Sequence, residues 1–417
     1  MRRRILWWIA LAAILVPNYF AAAQGPHAGT ELTAFVVADR FAGALQALAP
    51  RFQEETGIRL NIVPQGYPEL YQRAIADFVG GTAEGDLYSV DVMWSGEWAQ
   101  ASHLVDLAPL IALHADEIDV DDIMPVMWNL GGWGAQQIAF PLAGYAGVLS
   151  YNREAFEAEG VAVPTTIAEW QAAAATFTGD GRHGIVMNGA RGAPVAQDWM
   201  YYMLAHGGRL LDADGRPTIN APENVASLDF FATMFDYAPP GASSYAWGDR
   251  ELAFRDGRAM MQMGWSTGVR SHNVPEMSQV VGKTAISQLP MLAGEPQANP
   301  FGGWGIGINR RSPHQEAAWS FILWLAQPEV RKEFVRLGGE PIRRSTLTDP
   351  EILAEFPWYE NVLKSFETGD GDFRPRIPQY ARMQETLGLV VNQVIIGELT
   401  AQEALDRAQA QLAPLFR

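Results

Sequence analysis

The stretch Phe140–Phe156, FPLAGYAGVLSYNREAF, says more about the fold than any other part of the sequence. A proline near its start and the apolar pair Val148 and Leu149 predict a strand, and a helix is predicted to begin at Arg153. Small residues surround a single aromatic residue, Tyr145. Because glycine lets the backbone approach a partner closely, Tyr145 is either presented to a ligand or half-buried in an ordinary strand-to-helix connection.

The sequence before this stretch alternates between strand and helix patterns. The predicted strands are Leu32–Val37, Ile58–Val63 and Val90–Trp94, and the predicted helices span residues 41–52, 68–79 and 96–101. Strand, helix and strand in this order predict parallel pairing, and therefore an α/β fold.

Polar and aromatic side chains follow these predicted strands. Asp39 comes after the first strand, and Trp94 and Glu97 come at the end of the third. Ligands of open parallel sheets bind beyond the carboxyl ends of the strands, so these positions are candidates for a binding site. An indole covers the apolar face of a sugar while carboxylates accept its hydroxyl groups, which favours a neutral polyhydroxylated ligand. Core packing is the alternative for Trp94 or for its neighbour Trp98.

Two further tryptophans and two arginines are candidates in the second half of the chain. Trp265 and Trp304 are flanked by glycines, which predicts that both lie on loops and face a ligand. Arg343 and Arg374 lie beside prolines in extended bends, where a guanidinium can donate to two vicinal hydroxyls. The alternatives are indoles buried under loops and arginines in surface ion pairs.

Composition limits the class of protein. The chain has 417 residues, 48% of them hydrophobic and 18% charged, which suits two or more lobes with large cores. A net charge of −17 argues against nucleic acid and anionic membranes as partners. There is no cysteine, so disulfides, thiolate metal sites and a cysteine nucleophile are excluded.

The first residues are typical of a cleavable signal peptide. Arg2–Arg4 precede an apolar run, Ile5–Val16, and an Ala21–Ala23 cleavage pattern follows. The apolar run is too short to span a bilayer, so stable membrane insertion is not expected. We expect cleavage near Ala23 and export, by the general or the twin-arginine route.

Catalytic motifs are the alternatives to a binding site. Residues 264–268 match the G-x-S-x-G nucleophile elbow of hydrolases, but residues 269–275 form a poor helix and few histidines follow. The seven histidines are scattered, and no phosphate-binding glycine motif occurs. A glycosidase carboxylate pair stays open, since sequence alone cannot say which acids face each other. We expect no catalytic residue, no metal and no cofactor.

The opening stretch resembles the signature of the family 1 extracellular solute-binding proteins, the sugar-capturing components of bacterial ABC importers. The positions that fit the family pattern are Pro141, Val148, Leu149, Tyr151, Asn152 and Phe156, while Ala143, Tyr145 and Ser150 depart from it. Further matches in the family order are Gly264-Trp265, Gly302–Gly305, the bend from Gly338 to Arg343, and Arg374–Tyr380. The resemblance extends over the whole mature chain.

The resemblance implies a two-lobe periplasmic-binding-protein fold of type II, with a hinge and a ligand cleft between the lobes. After a signal peptide at residues 1–23, the first lobe is expected to comprise residues 24–140 and about 270–325. The second lobe is expected to comprise residues 141–269 and about 326–417.

The resemblance also implies a function. Tyr145, Trp265 and Trp304 are expected to stack on a disaccharide or longer α-glucoside. The expected polar contacts come from Asp39, Trp94, Glu97, Arg343, Arg374 and the backbone N–H of Gly303. The expected partners are the sugar and the permease subunits, and the expected state is a periplasmic monomer. The rival interpretations are a receptor for a glycerol phosphodiester or a polyamine, and a glycoside hydrolase.

Overall fold

The computed structural model describes residues 25–416 of the chain. The predicted signal peptide and its cleavage near Ala23 lie outside the described residues. None of the helices between residues 25 and 416 has the length and apolar composition that a bilayer crossing requires.

The strands include three short ones of two residues and two long ones that cross the molecule. They are β1 Glu31–Val37, β2 Arg59–Gln65, β3 Leu87–Asp91, β4 Gly132–Trp133, β5 Gln136–Gln137, β6 Phe140–Asn152, β7 Met261–Trp265, β8 Thr284–Ser287, β9 Asn299–Ile308 and β10 Gly369–Asp370.

The helices alternate with the strands in the first half of the chain and dominate the second half. Those before residue 240 are α1 Arg40–Thr56, α2 Tyr67–Gly80, α3 Ser95–Gln100, α4 Ala108–Leu113, α5 Ala115–Ile118, α6 Pro125–Leu130, α7 Arg153–Glu159, α8 Ile167–Thr176, α9 Ala193–Ala205 and α10 Pro222–Met234. Those after it are α11 Trp247–Arg255, α12 Val269–His272, α13 Gln315–Ala326, α14 Pro328–Arg336, α15 Arg344–Leu347, α16 Pro350–Glu355, α17 Tyr359–Glu367, α18 Tyr380–Ile395 and α19 Ala401–Leu412.

The predicted parallel unit is confirmed. β1 pairs in parallel with β2 on one side and with β3 on the other. β3, however, ends at Asp91 and not at Trp94. The Asp91 side chain accepts a hydrogen bond from the backbone N–H of Met93 and starts a single 3-10 turn over Val92–Trp94. The carboxyl end of this strand is therefore Asp91.

Strand β6 joins two groups of strands. Its first half, Phe140–Ala146, pairs with β9, which in turn pairs with β3; with β1 and β2, these strands form the first group. Its second half, Gly147–Asn152, pairs with β7 and β8 and forms the second group with them. A bulge follows Pro141, which lacks the N–H that a regular ladder needs. The partner of β6 changes between Ala146 and Gly147, so the predicted lobe boundary at residues 140 and 141 lies inside the first group.

The packing of two other segments bears on the expected lobe assignments, which stay a prediction. Residues 270–325 were assigned to the first lobe, but β8 pairs with the second half of β6. Residues 326–417 were assigned to the second lobe, but α14 packs on α1, and Arg331 in α14 donates to the Leu142 carbonyl at 2.6 Å. Helices α9, α10, α18 and α19 do pack together in the second group. The chain thus crosses between the groups more often than local patterns reveal.

Candidate ligand-binding site

A cavity of about 410 Å³ lies where the two groups of strands meet. The first group contributes the ends of β1 and β3, the start of α2 and the middle of β9, and the second contributes β7, α9 and α11. Its lining residues are Val37, Ala38, Asp39, Arg40, Tyr67, Asp91, Tyr145, Ala193, Gln197, Trp247, Arg250, Glu251, Trp265, Thr267, Gly268, Trp304, Arg374 and Gln384. The volume is within the range of small-molecule sites.

The carboxyl ends of the parallel strands meet at this cavity, as the topology requires. Asp39 follows β1 and caps α1, where its Oδ1 accepts a hydrogen bond from the N–H of Arg40 at 2.6 Å. Tyr67 follows β2, and its hydroxyl donates to Oδ2 of Asp91 at 2.8 Å. Burial raises the pKa of Asp91, while Arg374 and the Tyr67 hydrogen bond oppose that rise.

Three aromatic residues named by the sequence lie in the wall. Tyr145 of β6 and Trp265 of β7 make an edge contact with ring centroids 5.1 Å apart. Trp304 contacts the Tyr67 ring at 6.0 Å and is 5% exposed. Trp304 lies inside strand β9, not on a loop, and Trp265 is the last residue of β7, so the predicted loop placement needs correction. The glycines that flank Trp304 therefore allow close pairing between strands, and they do not form a flexible turn.

Arg374 projects a charge into the cavity from the segment before α18. Its guanidinium lies 5.3 Å from the Trp265 ring centroid and 5.2 Å from that of Phe373. The side chain is 6% exposed, and its Nε finds no hydrogen-bond partner among residues 25–416. Burial opposes the charge, but the nearby Tyr380 and Asp91 hold the pKa of Arg374 above the usual arginine value. Arg374 therefore offers a charged donor to a bound molecule.

Gly302 explains how these side chains converge. A Cβ on Gly302 would lie 2.9 Å from a guanidinium nitrogen of Arg374 and 3.1 Å from the rings of both Trp265 and Tyr145. Any larger residue would displace at least one of them. The glycine of the GGWG motif thus shapes the cavity wall, and the three side chains surround one point.

Helix α11 supplies the opposite wall. Arg250 is 1% exposed and pairs with Asp198 at 3.0 Å, and burial raises the pKa of Asp198 to about 6. Glu251 accepts hydrogen bonds at 3.1 Å from Gln262 and is paired with the His272 ring at the same distance. Burial alone would raise the pKa of Glu251, but His272 and Arg250 lower it to about 2. The carboxylate therefore faces the cavity in its ionised form.

The charges that line the cavity balance. Three carboxyl groups, those of Asp39, Asp91 and Glu251, face three guanidinium groups. The guanidinium groups belong to Arg40, Arg250 and Arg374. The formal charges of these six lining groups cancel, and together they offer both acceptors and donors, which suits a neutral molecule rich in hydroxyl groups.

Trp94 and Glu97 do not line the cavity. Trp94 is 6% exposed and packs between Tyr71 and Trp98 with ring centroids 5.3 and 5.1 Å away. Trp98 is also buried, so core packing holds for both indoles. Glu97 accepts the Tyr71 hydroxyl hydrogen bond at 2.8 Å. The cause is the early end of β3, which carries the residues after Asp91 away from the cavity.

Gly303 and Arg343 also lie elsewhere. Gly303 faces the neighbouring strand β6, because a Cβ added to it would lie 2.7 Å from the carbonyl oxygen of Ala143. Arg343 is fully buried and donates to the carbonyls of Asp119 and Ala326 at 3.0 and 2.7 Å. Its guanidinium is used within the protein, so the prediction that it binds a ligand hydroxyl conflicts with its position.

Several lining residues were not predicted as site residues. Both Tyr67 and Asp91 obey the rule for strand ends: Tyr67 follows β2, and Asp91 could have been found had the end of β3 been placed correctly. The residues of α9 and α11 carry no sequence signal, because their position depends on how the second group folds. They are Gln197, Trp247, Arg250 and Glu251.

The hydrolase alternative lacks an exposed nucleophile. Ser266 is 3% exposed, and its Oγ accepts a hydrogen bond from the N–H of Ala146 at 3.2 Å. Within residues 25–416, no group of three or more His, Cys, Asp or Glu side chains is placed to hold a metal ion.

Comparison with known proteins defines the class. A family model described as "Bacterial extracellular solute-binding protein" matches residues 38–332, more than half of the chain. The chain therefore belongs to this family, and it is a solute-binding protein of an ABC transporter and not an enzyme. The two-lobe α/β fold expected from the sequence is confirmed by the solved structures that it resembles.

Three similar proteins bear on the ligand. A crystal structure of an ABC transporter solute-binding protein from Agrobacterium radiobacter in complex with ribitol is 41% identical, covers 94% of this chain and 100% of its own, and superposes with a TM-score of 0.88. A Sinorhizobium fredii protein named "Probable amino-acid ABC transporter periplasmic-binding protein" is 26% identical over 95% of this chain and 92% of its own. The mannitol-binding protein of Pseudomonas aeruginosa is 23% identical over 88% of this chain and 89% of its own.

Proposed function

We propose that the cavity binds a small neutral polyol, an alditol of five or six carbons, and delivers it to a membrane permease. The observation that carries the proposal is the balance of three carboxyl and three guanidinium groups around about 410 Å³. An alditol presents alternating hydroxyl donors and acceptors and no charge, so it can pair with both kinds of group. The similarity to a ribitol complex and to a mannitol-binding protein supports the same class of ligand.

The side chains have distinct roles in this proposal. Asp91 and Glu251 accept hydrogen bonds from ligand hydroxyls, one from each group of strands. Arg374 donates from the base of the cavity. Tyr145 and Trp265 pack against the carbon chain, where apolar C–H groups meet the ring faces.

Closure of the two lobes would complete the site. The change of pairing partner at Ala146–Gly147 of β6 supports a hinge at that point. Hinge bending around a bound ligand is a common transition of two-lobe receptors. The export pattern at residues 1–23 supports a periplasmic location, and we infer that the mature chain acts as a monomer.

An α-glucoside, a disaccharide or longer, is the second candidate. Tyr145, Trp265 and Trp304 are three rings in one wall, an arrangement that suits stacking on pyranose rings. A charged solute such as a polyamine, a glycerol phosphodiester or a basic amino acid is disfavoured, because a balanced lining leaves a net ligand charge uncompensated.

A thermal-shift screen tests the proposal. The panel contains ribitol, mannitol, glucose, maltose, trehalose, putrescine, glycerophosphoglycerol and arginine. We expect an alditol to raise the melting temperature most, with a dissociation constant near 1 µM, about −8 kcal/mol, by titration calorimetry. A shift produced by charged members alone, or by maltose with no shift from alditols, would contradict the proposal.

A further inference from the structure

Helix α11 presents one face to the cavity. Trp247, Arg250 and Glu251 are related by three and four positions along the helix and therefore share that face. Arg250 is paired with Asp198 and Glu251 with His272, and these pairs hold α11 in place against its neighbours. Trp247 is the first residue of this helix, so its backbone position is fixed as well.

Exposure separates the floor of the cavity from its rim. Trp304, Arg374 and Asp91 are 5%, 6% and 7% exposed. Trp247 and Tyr67, which line the same cavity, are 37% and 39% exposed. These two rings are the large exposed aromatics of the lining, and they come from opposite groups of strands.

The two rim residues differ in how firmly they are held. The Tyr67 hydroxyl is bound to Asp91, and its ring contacts Trp94 at 5.1 Å. Trp247 enters no aromatic pair and no side-chain hydrogen bond among residues 25–416. Because the indole of Trp247 lines the cavity and is 37% exposed, it is free to contact a bound solute.

We propose that Trp247 determines the length of ligand that the protein accepts. When the lobes close, the indole meets the end of the bound solute and, with Tyr67 opposite, shuts the mouth of the cavity. A ligand of one alditol or one sugar ring fits behind the two rings, and a trisaccharide is excluded. The inference rests on the proposed function for the position of the ligand.

The test compares Trp247→Ala and Trp247→Phe with the wild type. Leu252→Ala is the matched control, because Leu252 lies on the same helix, is 45% exposed and does not line the cavity. Titration calorimetry with mannitol, ribitol, glucose and maltotriose gives the dissociation constants. The melting temperature without ligand shows that each variant is folded.

We expect Trp247→Ala to weaken binding of the best small solute about tenfold and to raise the affinity for maltotriose relative to it at least tenfold. Trp247→Phe should keep most of the discrimination, and Leu252→Ala all of it. An unchanged Trp247→Ala profile, or an equal loss for every solute, would overturn the inference. A wild type that prefers glucose to both alditols would contradict the proposed polyol, while the comparison of glucose with maltotriose would still decide the role of Trp247.

Discussion

The guanidinium carbon of Arg374 lies 5.3 Å from the ring centroid of Trp265. The ring face thus stabilises a charge that burial would otherwise disfavour. Glycine at position 302 permits this approach, since a Cβ there would lie 2.9 Å from the guanidinium. One charged donor and one ring face are held together at the base of the cavity, ready for the hydroxyl and C–H groups of one ligand.

Arg374→Lys should weaken ligand binding about 10- to 100-fold, because hydrogen bonds from a charged group contribute about 1.5–3 kcal/mol. Lysine keeps the charge but loses the planar fork and its stacking on the indole. Titration calorimetry with the solute that gives the largest thermal shift measures the change.

Arg376→Lys is the control for this variant. Arg376 lies two residues away, outside the cavity, and is paired with Asp372 at 2.8 Å. Its substitution should leave the dissociation constant within twofold of the wild type. Equal effects of the two substitutions would show that Arg374 has no special role in binding.

Trp304→Ala should lower both ligand affinity and the stability of the unliganded protein. The indole is 5% exposed and contacts Phe41 and Trp94 at 6.1 and 5.5 Å, so its removal leaves a core cavity. Large-to-small changes of this kind cost about 3–5 kcal/mol. Chemical denaturation measures the loss.

Trp265→Ala provides the contrast. Trp265 is half-buried at the end of β7, so we expect a smaller loss of stability, about 1–2 kcal/mol, with a clear loss of binding. If Trp304→Ala left the unliganded protein as stable as the wild type, the indole of Trp304 would contribute to ligand binding but not to the packing of the core.

The sequence predicted the parallel unit and five residues of the cavity for a simple reason. Strand ends, glycine-flanked aromatics and an arginine beside a proline are local patterns, and Asp39, Tyr145, Trp265, Trp304 and Arg374 each carry one of them. The misplacement of Trp94 and Glu97 followed from an error of three positions at the end of β3. The apolar run continues to Trp94, and only the Asp91 cap ends the strand.

The remaining site residues could not have been predicted from local patterns. Arg250 and Glu251 lie on a helix with no distinctive motif, and their burial depends on partners far along the chain. Arg343 shows the opposite case. Its bend resembles a binding loop, but its partners, Ile118, Asp119 and Ala326, come from two distant segments that only the fold brings together.

Arg343→Met should destabilise the protein without changing ligand affinity. The substitution leaves three carbonyls, those of Ile118, Asp119 and Ala326, without the Arg343 donor and removes the cationic partner of the Asp122 carboxylate, 3.2 Å away. Removing one partner of a buried ion pair costs about 3–5 kcal/mol. Urea denaturation should show this loss, and calorimetry below the unfolding transition should show an unchanged dissociation constant.

Arg344→Ala is the neighbouring control, because Arg344 is exposed and paired with Glu367 at 2.8 Å. Its cost should stay below about 1 kcal/mol, as for other surface pairs. A loss of binding in Arg343→Met with normal stability would restore Arg343 to the ligand site.

Glu340 should make stability depend on pH. The side chain is 6% exposed and faces Asp39 and Arg40 at the start of α1, Arg270 in α12 and Tyr359 in α17. Burial raises the pKa of Glu340 from 4.5 to about 8 despite the two arginines. The folded protein therefore binds the proton more tightly than the unfolded chain does. The resulting stabilisation is complete below about pH 4.5 and is lost as the pH rises through about 8.

Glu340→Gln keeps a neutral side chain at every pH, so it should remove this dependence. The unfolding free energy of Glu340→Gln minus that of the wild type should therefore increase between pH 5 and pH 9. We expect an increase of a few kcal/mol, since each unit of pKa shift corresponds to about 1.4 kcal/mol. Urea denaturation across this range measures both proteins. Since every other titrating group is common to the two proteins, parallel curves would mean that Glu340 is ionised in the folded state, held by Arg40 and Arg270.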